Sequence, residues 1–165
     1  MKKPTPSRGP RPGSIARVAG IDYADLGEHF GYALKRAQIA SFEAFAKATR
    51  SSSHLEEITP PRYTALVILA GNPGIGQSAL GEVLGTARSG AMMLADWLEQ
   101  RGLAERRHKP DDGRAWGLFL TGKGEALLKK LRRNVRSHDR RFAEKLAPAE
   151  RRELLRLLEK LTGPA

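Results

Sequence analysis

A mainly α fold with one small β-hairpin is what this chain of 165 residues predicts. Three observations carry that expectation. Apolar residues return every three or four positions in several separate stretches, the period of a helix with a buried face. Glycine, proline and hydroxyl residues fall between those stretches, where helices stop and start. Two short strand-like pieces flank an Asp-Gly turn, the mark of a hairpin.

In chain order, residues 1–20 combine four prolines, three glycines and five basic residues with no acid, which reads as a disordered basic tail. Order is expected from Asp22. Leu26, Phe30, Ala33, Leu34, Ala37, Ser41, Phe45 and Ala48 keep helical spacing until Ser51-Ser52-Ser53. Tyr32, Ile39 and Phe42 widen that apolar face beyond one stripe, as in a helix buried by more than one partner. Thr59-Pro60 reads as a hydroxyl cap followed by proline at the first helical position. The segment from Pro61 to Ala70 stops at Gly71-Asn72-Pro73-Gly74. A short helix over 77–84 and a longer one over 87–101 follow, joined at Gly85-Thr86 with Thr86 as the expected cap. Residues 103–120 supply the hairpin, around Asp112-Gly113. Thr121 to Phe142 is helical again, and Pro148 opens a last helix with Leu154, Leu157, Leu158 and Leu161 on one side.

Composition narrows the partners. Lys and Arg number 29 against 18 Asp and Glu, a net charge of +11, which points to an anionic partner and first to nucleic acid. The longest apolar run, Ala65 to Ala70, is six residues, so neither a membrane span nor a membrane partner is expected. Lys2 and Lys3 precede no apolar stretch, so no secretory signal is expected. Without cysteine there are no disulfides and no thiolate metal sites.

Residues 71–78, Gly-Asn-Pro-Gly-Ile-Gly-Gln-Ser, nearly match the phosphate-binding loop of nucleotide hydrolases. Gln77 stands where that loop needs a lysine, and the chain offers no set of parallel strands to surround it. A glycine-rich turn between two helices is the better reading; a degenerate nucleotide-binding enzyme stays as an alternative.

The helices at 77–84 and 87–101 form a helix-turn-helix, a unit that lays its second helix in the DNA major groove. Thr86, Arg88, Ser89, Gly90 and Met92 lie in its leading turns; Arg88 has the fork that pairs with guanine. Met92 suits a thymine methyl, although Met92 and Met93 read more readily as core. The hairpin then forms a wing with basic residues, among them Arg107, Lys109 and Arg114.

The string Asp96-x-Leu98-Glu99-x-x-Gly102-Leu103, then Arg106, Pro110-x-Asp112-x-Arg114 and Leu120-Thr121-x-x-Gly124 resembles the MarR family of winged helix-turn-helix regulators over about residues 25–162. The resemblance implies a homodimeric bacterial transcription regulator, usually a repressor. Such a protein is cytoplasmic and nucleoid-associated, binds a palindromic double-stranded operator, and releases it when a small molecule binds. It also implies that Arg114 enters the minor groove with Asp112 orienting it. The division that follows is a tail (1–20), an N-terminal dimerisation helix (21–58), a DNA-binding region (59–122) and C-terminal dimerisation helices (123–165).

Gly31-Tyr32-x-Leu34-Lys35-Arg36-Ala37-Gln38 and Asn72-Pro73-Gly74 are similar to the members that regulate hydroxycinnamate and related aromatic-acid catabolism. That implies an effector that is an aromatic carboxylate or its coenzyme A thioester, and no cofactor. Phe30, Phe42, Phe45 and Tyr63 are candidates for an apolar pocket between the first, second and fifth helices, or else ordinary core. Lys35, Arg36 and the basic helix at 123–141 are candidates for its phosphates. His29, His54, His108 and His138 show no metal-ligand spacing, and no nucleophile motif appears, so no enzyme is expected. A nonspecific basic architectural DNA-binding protein is the second alternative.

Overall fold

The computed structural model describes residues 20–49, 57–109 and 112–163. The basic tail up to residue 19, the serines at 51–53, Pro110 and the side chains of Lys109, Asp112 and Arg114 lie outside the described residues. The chain divides into two compact units, Met1–Glu43 and Ala44–Ala165.

The elements are α1 (Phe30–Thr49), α2 (Pro60–Gly71), α3 (Gln77–Val83), α4 (Arg88–Gln100), β1 (Ala104–Lys109), β2 (Asp112–Leu120), α5 (Gly122–Phe142) and α6 (Pro148–Thr162). They match the order expected from sequence, and the fold is a winged helix-turn-helix. Two ends differ from expectation. Leu26 lies in a separate 3-10 turn, Ala24–Glu28, and His29 is extended before α1 begins. The Asp22 carboxylate accepts the Ala24 N–H at 2.9 Å, so the chain is held in a local turn there. At α4 the cap position belongs to Ala87 rather than Thr86. The Thr86 N–H instead donates to Gly81 O at 3.0 Å and closes α3.

Thr59 does occupy the N-cap of α2 with extended backbone, yet its hydroxyl makes no capping bond. Pro60, at the first helical position, already removes one of the donors a cap serves. Thr121 does cap α5: its hydroxyl accepts from the Gly124 N–H at 3.1 Å and donates to Gly102 O at 2.6 Å.

The core lies in the second unit. Leu66 and Leu69 of α2, Leu80 of α3, Leu98 of α4, Leu118 of β2 and Leu131 of α5 are its large, fully buried side chains. Within the unit α2 packs on α5 and β2, and α4 packs on α3 and β1. The glycine-rich segment after α2 is explained by backbone contact. Gly74 has φ +84°, and its N–H donates to Leu118 O at 2.9 Å. Ile75 bridges Leu118 as a short third edge of the sheet. A Cβ on Gly117 would stand 2.5 Å from Gly74 O, which excludes a side chain there, and the positive φ of Gly74 favours glycine at the other position. The resemblance to a phosphate loop is therefore a helix-to-helix turn, and the segment before it is helix, not strand.

Candidate functional site

The turn Leu84–Ala87 sets α4 against α3. Gly81 permits it, since a Cβ there would meet the Ala91 methyl at 3.1 Å. Ala91, Ala95 and Leu98, spaced by four and three residues, form the buried face of α4. Arg88, Ser89, Met92 and Met93 consequently fall on the open side. Met92 is 48% and Met93 70% exposed, which overturns the expectation that both are core. Gly90 is bounded by the Thr86 hydroxyl, the nearest atom a Cβ would meet, so it has a packing reason of its own.

Arg106 of β1 fastens the reading helix to the wing. Its guanidinium donates to Asp96 at 2.7 Å, to Glu99, and to Gln77 of α3 at 3.4 Å. Its backbone N–H also donates to the Glu99 carboxylate, at 3.0 Å. One side chain thus ties α3, α4 and β1 together through charge-assisted bonds in a partly shielded place.

β1 and β2 pair antiparallel from Ala104 opposite Leu120 to His108 opposite Trp116, with a bulge before Lys109 pairs Asp112. Arg107 lies over the Phe119 ring at 4.2 Å and is ion-paired with Glu105 at 3.2 Å. The backbone of Asp112–Arg114 runs in β2, while the expected Asp112–Arg114 ion pair lies outside the described residues.

A second feature lies between α2 and α5. A cavity of about 730 Å³ is lined by Ala70 and Leu128, by Lys129, Arg132, Arg133 and Arg136, and by Glu125. The cations recur at helical spacing along one side of α5 and take part in no ion pair among the described residues. Arg132 and Arg136 also act on the Tyr63 phenol. Burial raises that phenol above its ordinary value, against the opposing pull of the two arginines. Tyr63 stays a neutral O–H donor throughout the physiological range.

Tyr63 packs on Phe45 with ring centroids 6.1 Å apart, and Phe45 meets His138 edge-on at 5.8 Å. His138 is buried, and Phe142 stacks beyond it at 5.9 Å. Of the expected pocket residues, Phe45 and Tyr63 are therefore together. Phe30, Lys35, Arg36 and Phe42 belong to the first unit. Phe30 and Phe42 are 59% and 44% exposed. His138 was missed as a neighbour of this cluster: a lone histidine in a basic helix carries no signal until the fold sets it against Phe45.

Comparison with known proteins agrees with the geometry. The MarR family model matches residues 57–115. A putative transcriptional regulatory protein for the hcr operon of Thauera aromatica is 33% identical over 144 residues, covering 87% of this chain and 85% of the relative. Among solved structures, the transcriptional repressor CouR bound to a 23-mer DNA duplex is 34% identical, with a TM-score of 0.78 over 88% of this chain and 100% of that one. CouR bound to p-coumaroyl-CoA is 33% identical, with a TM-score of 0.77 over 88% and 99%. The reading helix, the wing and these relatives together identify the chain as a member of the MarR family of DNA-binding, non-enzymatic transcriptional regulators.

Proposed function

We propose that this chain is a homodimeric repressor of a palindromic promoter operator, acting in the cytoplasm at the nucleoid, and released by an aromatic acid or its coenzyme A thioester. The observation that carries the reading is the open leading half of α4, with Arg88, Ser89 and Met92 exposed beside the wing. Thr86, Arg88, Ser89, Gly90 and Met92 are assigned to the major groove. Arg107, Lys109 and Arg114 are assigned to the wing contacts, with Asp112 orienting Arg114. The solved CouR–DNA complex supports the same mode.

The effector reading rests on the contrast within the second unit. Half-buried Tyr63 edges the buried aromatic pair Phe45 and His138, and its phenol feels Arg132 and Arg136, which line the cationic cavity. Four cations exceed what one carboxylate needs, whereas a thioester of coenzyme A brings several phosphate charges. The thioester is therefore favoured over the free acid, and the p-coumaroyl-CoA complex of CouR supports it. Phe30, Lys35, Arg36 and Phe42 complete the assigned set.

Titration of labelled DNA from upstream of its own gene, against random DNA and at several salt concentrations, tests the repressor. Specific binding with log affinity falling linearly in log salt is expected, and Arg114→Ala should lower that slope by about two for a dimer. Equal affinity for random DNA would replace the reading with an architectural one. Thermal shifts with p-coumarate, coenzyme A and p-coumaroyl-CoA test the effector. Stabilisation and operator release by the thioester are expected, and stabilisation by the free acid alone would reverse the preference.

A further inference from the structure

The wing carries an aromatic pair that the core does not use. Trp116 of β2 is 57% exposed. His108, also exposed, is its cross-strand neighbour, with ring centroids 4.2 Å apart and planes at 38°. Alternate residues along a strand share a face. Arg106 and Leu118, one pleat nearer the core, form the preceding pair on that face. Arg106 is the residue bonded to Asp96 and Glu99 of α4, so this face of the hairpin is turned to the reading helix. The chain reverses at Gly102 and β1 runs back beside α4: Leu103 N–H donates to Leu98 O, and Arg106 reaches Asp96. His108 and Trp116 thus continue the face that holds α4, and both are exposed there.

We propose that Trp116, supported by His108, is a DNA contact that docks on the sugar-phosphate backbone between the groove entered by α4 and the groove entered by the wing. This rests on the repressor reading above. A hairpin whose base holds the reading helix and whose tip enters the neighbouring groove must cross the strand that separates the two. The middle of its helix-facing side is where that strand passes. An indole suits the place: its plane packs on deoxyribose and its N–H donates to a phosphate oxygen. The histidine ring against it limits the rotamers of the indole, so little entropy is lost on docking. Arg88 is exposed at the start of the open side of α4, on the reading helix that this face of the hairpin holds. Contacts of this kind set the position of the protein on the duplex rather than reading bases.

Trp116 and Trp97 are the two tryptophans, which makes the test direct. Trp97 is enclosed between Arg62 and Arg101, at 3.9 and 4.7 Å. In the W97F protein, emission reports Trp116 alone. Operator DNA is expected to quench that emission and shield it from acrylamide, saturating with the anisotropy of labelled DNA. W116A is expected to lower operator affinity about tenfold with an unchanged salt slope, since a neutral donor releases no counterion. W116F keeps the ring, loses the N–H and is expected to fall between. If W97F folds poorly, the emission change of the wild type at saturating DNA, absent in W116A, gives the same information. Operator binding with unaltered Trp116 emission and accessibility overturns the proposal while leaving the repressor reading intact. Protection of Trp116 on raising protein concentration without DNA also overturns it, in favour of an interface between copies. Failure of all specific DNA binding overturns the repressor reading, and the proposal with it.

Discussion

Gly117 and Gly74 meet backbone to backbone, and nothing at that contact can rotate away. Gly117→Ala is expected to lose about 1–3 kcal/mol, measured as a lower urea midpoint. Gly90 is the contrasting case, because the atom in its way is the Thr86 hydroxyl on a rotatable side chain. Gly90→Ala also improves helix propensity by up to about 1 kcal/mol, so a near-neutral urea midpoint is expected. Tyr63 makes a statement about pH. Its phenol is raised above the ordinary 10.0 by burial, so the folded chain holds that proton after the unfolded chain has lost it. Stability therefore falls as pH rises through the window just above 10.0. Tyr63→Phe should flatten that alkaline loss and remove a late tyrosinate absorbance step. An unaltered titration would place the phenol in solvent.

Between elements, Arg106 decides how the wing is aimed relative to α4. Arg106→Ala leaves the Asp96 and Glu99 carboxylates facing each other without a cation. A loss of about 1–2 kcal/mol is expected after allowing for partial exposure. Operator affinity should fall by more than that stability loss explains, and a variant that keeps wild-type affinity would remove the aiming role. The terminal helices tell a different story. α6 buries no residue, and Leu154, Leu155, Leu157 and Leu161 stand 43–58% exposed on it. α1 leaves Phe30, Leu34 and Phe42 open. Apolar faces of this extent mark an interface, and a second copy is the proposed cover. Leu157→Asp is expected to halve the sedimentation mass and abolish operator binding together. A dimer that survives the substitution would place the interface elsewhere.

At the scale of the molecule, charge and function are distributed separately. Residues 1–20 carry a net +5 and residues 123–141 a net +6, while residues 21–122, which include the reading head, carry a net −1. Base readout therefore rests on a few placed side chains, and the bulk positive charge belongs to the tail and to α5, where part of it surrounds the cavity. Helix spacing, the proline starts and the glycine stops made the order of elements legible, because those signals are local and act within one turn of the chain. Leu26 misled because its spacing to Phe30 is helical while Asp22 holds the chain in a separate turn. Met92 and Met93 misled because apolar residues at consecutive positions cannot both face the core when Ala91 and Ala95 already do.

The helices, the hairpin, the helix-turn-helix and the family resemblance are all legible along the chain, since each rests on periodicity, turn chemistry or motif spacing. Tertiary structure alone decided which side chains meet. It fastened Arg106 to carboxylates seven and ten residues earlier, and set Phe45 and Tyr63 beside His138 from far along the chain. It also turned Trp116 and Met92 outward. The physical reason is that burial and charge pairing depend on how faces of distant elements pack, and no local period encodes that.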